Sequence, residues 1–144
     1  MAAKYHFRLI TREGVKYDGQ IVYARLHAPD GYFGVMADHA PLIAALSPGE
    51  MVITEREGGV PLYYAAASGV VEIRDNEVAA LVESAERADE INVLRASEAA
   101  ARARQRLAAR ERAIDQDRAL AALQRALARL QVASRSAGRG SAPR

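Results

Sequence analysis

Between Glu86 and Ala96 the chain changes character. Upstream, apolar residues alternate and glycine-containing turns recur roughly every ten residues, whereas downstream neither Gly nor Pro occurs until Gly138 and Ala, Arg and Leu dominate. Alternation has the period of a strand, and an unbroken Ala/Leu pattern that of a helix. A chain divided this way folds as two packing units, strands first and helices second. The seam itself, Glu86-Arg87-Ala88-Asp89-Glu90-Ile91-Asn92-Val93-Leu94-Arg95-Ala96, carries charge where a sheet edge and two helices converge.

In the first unit, Tyr5, Phe7 and Leu9 share one side of a strand, and Arg12-Glu13-Gly14 turns into a second strand through Val15 and Tyr17. Val22, Ala24, Leu26 and Ala28 lie opposite Tyr23, Arg25 and His27, and Pro29-Asp30-Gly31 turns the chain again. Gly34 and Pro41 interrupt the apolar run from Tyr32 to Ile43, which predicts short strands and a loop. Turns at Ser47-Pro48-Gly49, Glu57-Gly58-Gly59, Ser68-Gly69 and Arg74-Asp75-Asn76 separate further strands, the last ending near Ser84. Many short strands at regular spacing argue an antiparallel β-sandwich or small barrel over roughly residues 4–86.

In the second unit, Asn92 is a plausible N-cap for a helix whose stripe is Val93, Ala96, Ala100, Ala103 and Leu107. Asp115 is a plausible cap for a second helix with the stripe Leu120, Leu123, Leu127 and Leu130, so an antiparallel turn is predicted near Arg112 to Asp115, with one long helix as the competing reading. An alanine-rich pair buries little area alone and is marginal unless docked, which makes it a candidate for mobility. The fold class is therefore α+β. A β-sandwich spans residues 1–87, a helical hairpin 88–133 and a basic, disordered tail 134–144.

Composition limits the chemistry. The chain has no cysteine, so disulfides and thiolate chemistry are excluded. The first ten residues lack a basic region followed by an apolar block, and no run reaches membrane-spanning length, so a cytosolic or peripheral protein is expected. His6, His27 and Asp38-His39 have neither ligand spacing nor a nucleophile motif beside them, so no metal or catalytic centre is assigned. Glycine loops that cradle nucleotides for hydrolysis are missing as well.

Net charge is only +2, yet from Arg118 to Arg144 there are arginines and no Asp or Glu. Arg118, Arg125 and Arg129 project away from the leucine stripe, and neither Arg125 nor Arg129 has an acid three or four positions away. Arg95, Arg102 and Arg106 share a face of the first helix. A hairpin folded back on the sandwich would bring guanidinium groups together with Glu86 at their edge, a setting that suits an anionic nucleotide. The alternative is a solvated arginine face.

Several motifs give the chain a family resemblance: Tyr5-His6, Gly31-x-x-Gly34-Val35-x-x-x-His39-Ala40-Pro41-Leu42, Ser68-Gly69-Val70-Val71-Glu72-Ile73, and Glu86-Arg87-Ala88 leading into Ile91-Asn92-Val93-Leu94-Arg95-Ala96. Together they resemble the epsilon subunits of bacterial F-type ATP synthases over nearly the whole chain. The resemblance implies a non-catalytic subunit of the central stalk, in a complex that couples proton-driven rotation to ATP synthesis. It implies a sandwich that docks on the gamma subunit and the ring of c subunits, with Tyr32, Asp38 and His39 at that interface. It also implies a hairpin that inhibits ATP hydrolysis when extended toward the alpha/beta head, where Arg118, Arg125 and Arg129 would face an acidic loop of the beta subunit.

The same resemblance implies regulatory ATP binding in the folded-down state. Relatives write the motif Ile/Leu-Asp-x-x-Arg-Ala, and the matching positions here are Ile91, Asn92, Arg95 and Ala96, with Glu86, Arg102, Arg125 and Arg129 as further contacts. Asn92 departs from the usual Asp; it keeps the capping shape and loses a charge. Ala37-Asp38 stands where relatives have Pro-Gly, Tyr32 where they are often acidic, and the residues after Val132 lie beyond the family's usual end. No cofactor or metal is required, no nucleic acid is expected, and contact with the cytoplasmic face of the cell membrane is expected only through the complex. A reading from another class is a stand-alone binding module with a basic helical arm for nucleic acid or client proteins, whose affinity would fall steeply with salt.

Overall fold

Tyr5, Phe7 and Leu9 occupy alternate positions of the first strand, and all three side chains are buried in one core. The computed structural model describes residues 2–109 and 113–137. Ten strands form two five-stranded sheets. In chain order they are β1 (Tyr5–Thr11), β2 (Gly14–Ile21), β3 (Tyr23–Ala28), β4 (Gly31–Val35), β5 (Leu42–Leu46), β6 (Gly49–Thr54), β7 (Leu62–Ala66), β8 (Gly69–Arg74), β9 (Glu77–Val82) and β10 (Ala85–Arg87). The first sheet runs β2-β1-β9-β8-β5 and the second β10-β7-β6-β3-β4.

Their facing sides interdigitate as the alternation predicts: Phe7, Leu9, Val71, Ile73, Val78 and Ala80 of the first sheet meet Ala24, Leu26, Val35, Met51, Ile53 and Tyr64 of the second. Each large side chain so buried contributes about 1.5–3 kcal/mol. The Tyr5 hydroxyl crosses between the sheets and donates to the Val35 carbonyl at 2.8 Å, and burial pushes its pKa well up. Pairing is antiparallel with one exception: β1 runs parallel to β9, from His6 beside Glu77 to Ile10 beside Leu81. Alternation encodes which face a residue takes and not strand direction, so this one pairing departs from the antiparallel default.

After a short 3₁₀ turn at Ala88–Glu90 come α1 (Val93–Ala108) and α2 (Ala113–Ala137), packed side by side as a hairpin. Arg112, in the predicted turn, lies outside the described residues. Asp115 falls inside the first turn of α2 and is not its cap, because the helix already begins at Ala113. The C-terminal boundary also differs: α2 runs through Ser134 and Arg135 to Ala137, since Val132 and Ala133 are held against the sheet and the following turn continues the helix. The rest of the tail, 138–144, lies outside the described residues.

The hairpin buries alanines. Ala96, Ala100 and Ala103 of α1 and Ala119, Ala126, Ala128 and Ala133 of α2 are inside, as the α1 stripe predicts. The α2 stripe is corrected in part: Leu120 and Leu127 are 47% and 40% exposed, while Leu123 and Leu130 are half-buried. Val93 is exposed as well. Small side chains let the two helices and the Ala65-Ala66-Ala67 surface approach closely, and leucine on that face would overfill the gap.

Candidate functional site between the sheet and the hairpin

Glu86 lies on the edge strand β10, in register with Ala65 of β7. Above it α2 brings Arg129, whose Nη2 donates to Glu86 Oε2 at 3.3 Å while Nε lies 2.8 Å from Oε1. Nε is nevertheless a buried donor with no acceptor in hydrogen-bonding alignment. The sequence shows no acid near Arg129 on its own helix; the sheet supplies one from 43 residues away. One turn earlier on α2, Arg125 lines the same space and forms no ion pair among the described residues.

Together these residues bound a cavity of about 240 Å³ between sheet and hairpin, floored by Ala65 to Ala67 and walled by Ala99, Ala122 and Ala126. The structure thus gathers Glu86, Arg125 and Arg129. It places Arg95 and Arg102 elsewhere, exposed on α1 and outside the cavity lining. Arg102 instead borders a shallow surface hollow with Gln105 and Arg106. Arg118 is exposed one turn after the start of α2.

The Ile91 to Ala96 segment builds the entry to α1. Ile91 packs with Ala65, Val132 and Ala133 beneath the end of α2, and Ala96 is wholly buried. Asn92 Oδ1 accepts the Arg95 backbone N–H at 3.0 Å, which satisfies one of the helix's free donors. Asn and Asp cap about equally well, so the departure from Asp leaves this local geometry intact.

Of the three residues expected at one interface, Tyr32 lies on a strand and Asp38 and His39 on the loop that follows it. Tyr32 on β4 stacks on His27, ring centroids 4.5 Å apart, with the Arg25 guanidinium 4.5 Å from its own centroid. It faces the groove under Gln124 and Leu127 of α2. Asp38 and His39 sit on the β4–β5 loop, where His39 Nδ1 bonds the Ala40 carbonyl and Asp38 bonds Asn76.

Strand alternation does not single out Glu50, yet its side chain is completely buried. Arg25 Nη2 donates to its Oε1 at 2.5 Å, and Arg135 donates to Oε2 through Nε at 2.9 Å and to Oε1 through Nη2 at 3.2 Å. Arg135 also lies over Tyr63, 5.3 Å from the ring centroid. A signal was present: β6 is apolar on both faces around Met51-Val52-Ile53, the mark of a strand covered on its outer side.

This architecture defines a two-part binding subunit, a strand scaffold carrying a docked helical arm. Residues 4–88 match the beta-sandwich domain of the ATP synthase delta/epsilon chain, and residues 89–134 match its long alpha-helix domain. The chain is 38% identical over 132 residues to a protein named ATP synthase epsilon chain from Nitratidesulfovibrio vulgaris, covering 92% of this chain and 97% of that one. It is 36% identical over 134 residues to one of the same name from Natranaerobius thermophilus, covering 92% and 95%. Its fold also resembles a chain in the cryo-EM structure of the Euglena gracilis mitochondrial ATP synthase, OSCP/F1/c-ring, with a TM-score of 0.78 at 20% identity over 92% of this chain and 82% of that one. The chain belongs to the ATP synthase delta/epsilon family, as a non-catalytic subunit of the stalk.

Proposed function

We propose that the sandwich docks on the gamma subunit and c-ring of a bacterial ATP synthase at the cytoplasmic face of the membrane. The hairpin then acts as a movable brake on ATP hydrolysis by the alpha/beta head. Lifted from the sandwich, the hairpin would present Arg118, Arg125 and Arg129 to an acidic surface there. Folded down, it would take ATP as a regulatory ligand in the cleft between β10 and α2.

The observation that carries the ligand reading is an Arg125 with no ion pair among the described residues, set beside the Arg129–Glu86 pair on one cavity. Guanidinium donors left over at a partly enclosed site suit phosphate oxygens. Glu86 would take the donors of the base or ribose. At 240 Å³ the cavity is below the roughly 300 Å³ at which small-molecule pockets begin, so the nucleotide would extend out of it past Ala99 on α1. Titration calorimetry with ATP tests this. Binding by the wild type that vanishes in Arg125→Ala, Arg129→Ala supports the site, and an undiminished signal in that variant overturns it. Hydrolysis by a reconstituted head complex, with the full chain and with one ending at Arg87, tests the brake; equal rates would refute it.

A further inference from the structure

Glu50 lies outside the nucleotide cleft, and its charge is divided between two elements. Arg25 on β3 belongs to the same sheet, so both partners of its bond lie on the sandwich. Arg135 comes from the end of α2, 85 residues away in sequence and one residue past the end of the matched helix domain. We propose that Arg135 is a clasp that fixes the register of α2 on the second sheet, so that the folded-down state of the hairpin is held by an ion link separate from the nucleotide site. This rests on the reading that the hairpin leaves the sandwich.

With α2 docked, water is excluded from Glu50, and Arg25 alone satisfies only one of its oxygens, with its own Nε already lacking an acceptor. A dehydrated carboxylate short of donors is costly, which makes docking without Arg135 unfavourable. Sliding α2 by one turn would move Arg135 by about 5.4 Å and break both of its bonds. Once α2 lifts, water reaches Glu50 and Arg25 remains beside it, so the sandwich survives release. A buried ion link adds little net energy and discriminates strongly between alignments, which is what a register device needs. Tyr63 strengthens the choice of Arg: the guanidinium lies over its ring, 5.3 Å from the centroid, while two of its nitrogens donate to Glu50.

The test is amide hydrogen exchange of the full chain, followed by mass spectrometry on peptides from α2 and from β1 to β9. Arg135→Ala should raise exchange in α2 about tenfold, the loss expected for a half-exposed charged hydrogen-bond partner, and leave the strands unchanged. Arg135→Lys should fall between, having the charge without the fork. In a Glu50→Gln background Arg135→Ala should add little. Unchanged α2 exchange in Arg135→Ala overturns the clasp, as does an equal rise in the strands. If Arg135→Ala frees α2 while hydrolysis by the head complex stays as before, the clasp stands and the brake reading fails.

Discussion

Asp38 and Asn76 hold each other across two loops: the Asn76 amide donates to Asp38 Oδ1 at 3.0 Å, and the Asp38 backbone N–H donates to Asn76 Oδ1 at 2.6 Å. Both residues are in the left-handed region, at φ 63° and 57°. Resemblance places glycine at the position of Asp38, and the backbone explains why: glycine adopts this conformation without steric cost, while Asp tolerates it better than most residues. The reciprocal bonds offset the remaining cost. Asp38→Ala should therefore lower stability by about 1–2 kcal/mol, because it loses the bond and keeps the strain, while Asp38→Gly should lose less. Urea midpoints of the two variants check this, and equal losses would contradict it.

The buried alanine face of α2 makes an inverted prediction about size. Ala126→Leu should disrupt docking, at about 1–3 kcal/mol for an overpacked site, although it adds apolar surface. Leu127→Ala, at a position 40% exposed, should cost under about 1 kcal/mol. Thermal unfolding of both variants measures the difference. A greater loss from Leu127→Ala would restore the leucine seam.

His6 sits between two carboxylates on the outer face of the first sheet, with Nε2 2.5 Å from Asp18 Oδ1 and Nδ1 2.7 Å from Glu77 Oε2. The bond to Asp18, then that to Glu77, raises its pKa above the ordinary histidine value. A raised folded-state pKa contributes stability that is fully present below the unfolded value, about 6.5, and is lost as pH rises through the folded value. Denaturant midpoints of the wild type should thus fall as pH climbs from 6.5 into the alkaline range, and His6→Gln should flatten that fall. Parallel pH profiles for the two proteins would remove His6 from the account.

Gly69 is required by proximity. A Cβ there would lie 1.9 Å from the Leu81 carbonyl oxygen, a backbone atom that cannot swing aside. Gly69→Ala should force β8 and β9 apart and destabilise the sandwich by about 3 kcal/mol or more, as a severe steric clash does. A circular-dichroism melt is sufficient to check it, and a melting temperature equal to the wild type's would refute the close approach.

The strands were legible because one face of each is buried and the other is not: Tyr5, Phe7 and Leu9 announce β1 directly. Asn92 announced α1, since the cap is a local bond between neighbours. What depended on a second surface was harder to read. Leu120 and Leu127 repeat at helical spacing, yet the sheet offers only Ala65 to Ala67 at the cavity floor, and small residues had to meet small ones. Arg129 looked unpaired along its helix because Glu86 arrives from the sheet, and Arg135 looked like tail because Glu50 lies 85 residues upstream. The arginine cluster was partly legible: angles on α2 singled out Arg125 and Arg129, but equivalent angles on α1 do not put Arg95 or Arg102 at the cavity.

The parallel pairing of β1 with β9 sets the order in which the chain can assemble. His6 meets Glu77 across 71 residues, so the first strand made waits for nearly the last strand of the sandwich before its sheet can close. Closing so long a loop slows folding, and until β9 is synthesised the edge of β1 stays open to wrong partners. The helices are made only afterwards and supply no strand to either sheet. During synthesis, which proceeds from the N-terminus, the hairpin therefore arrives at a surface already finished. An arm added last to a completed body contributes nothing to that body's own closure.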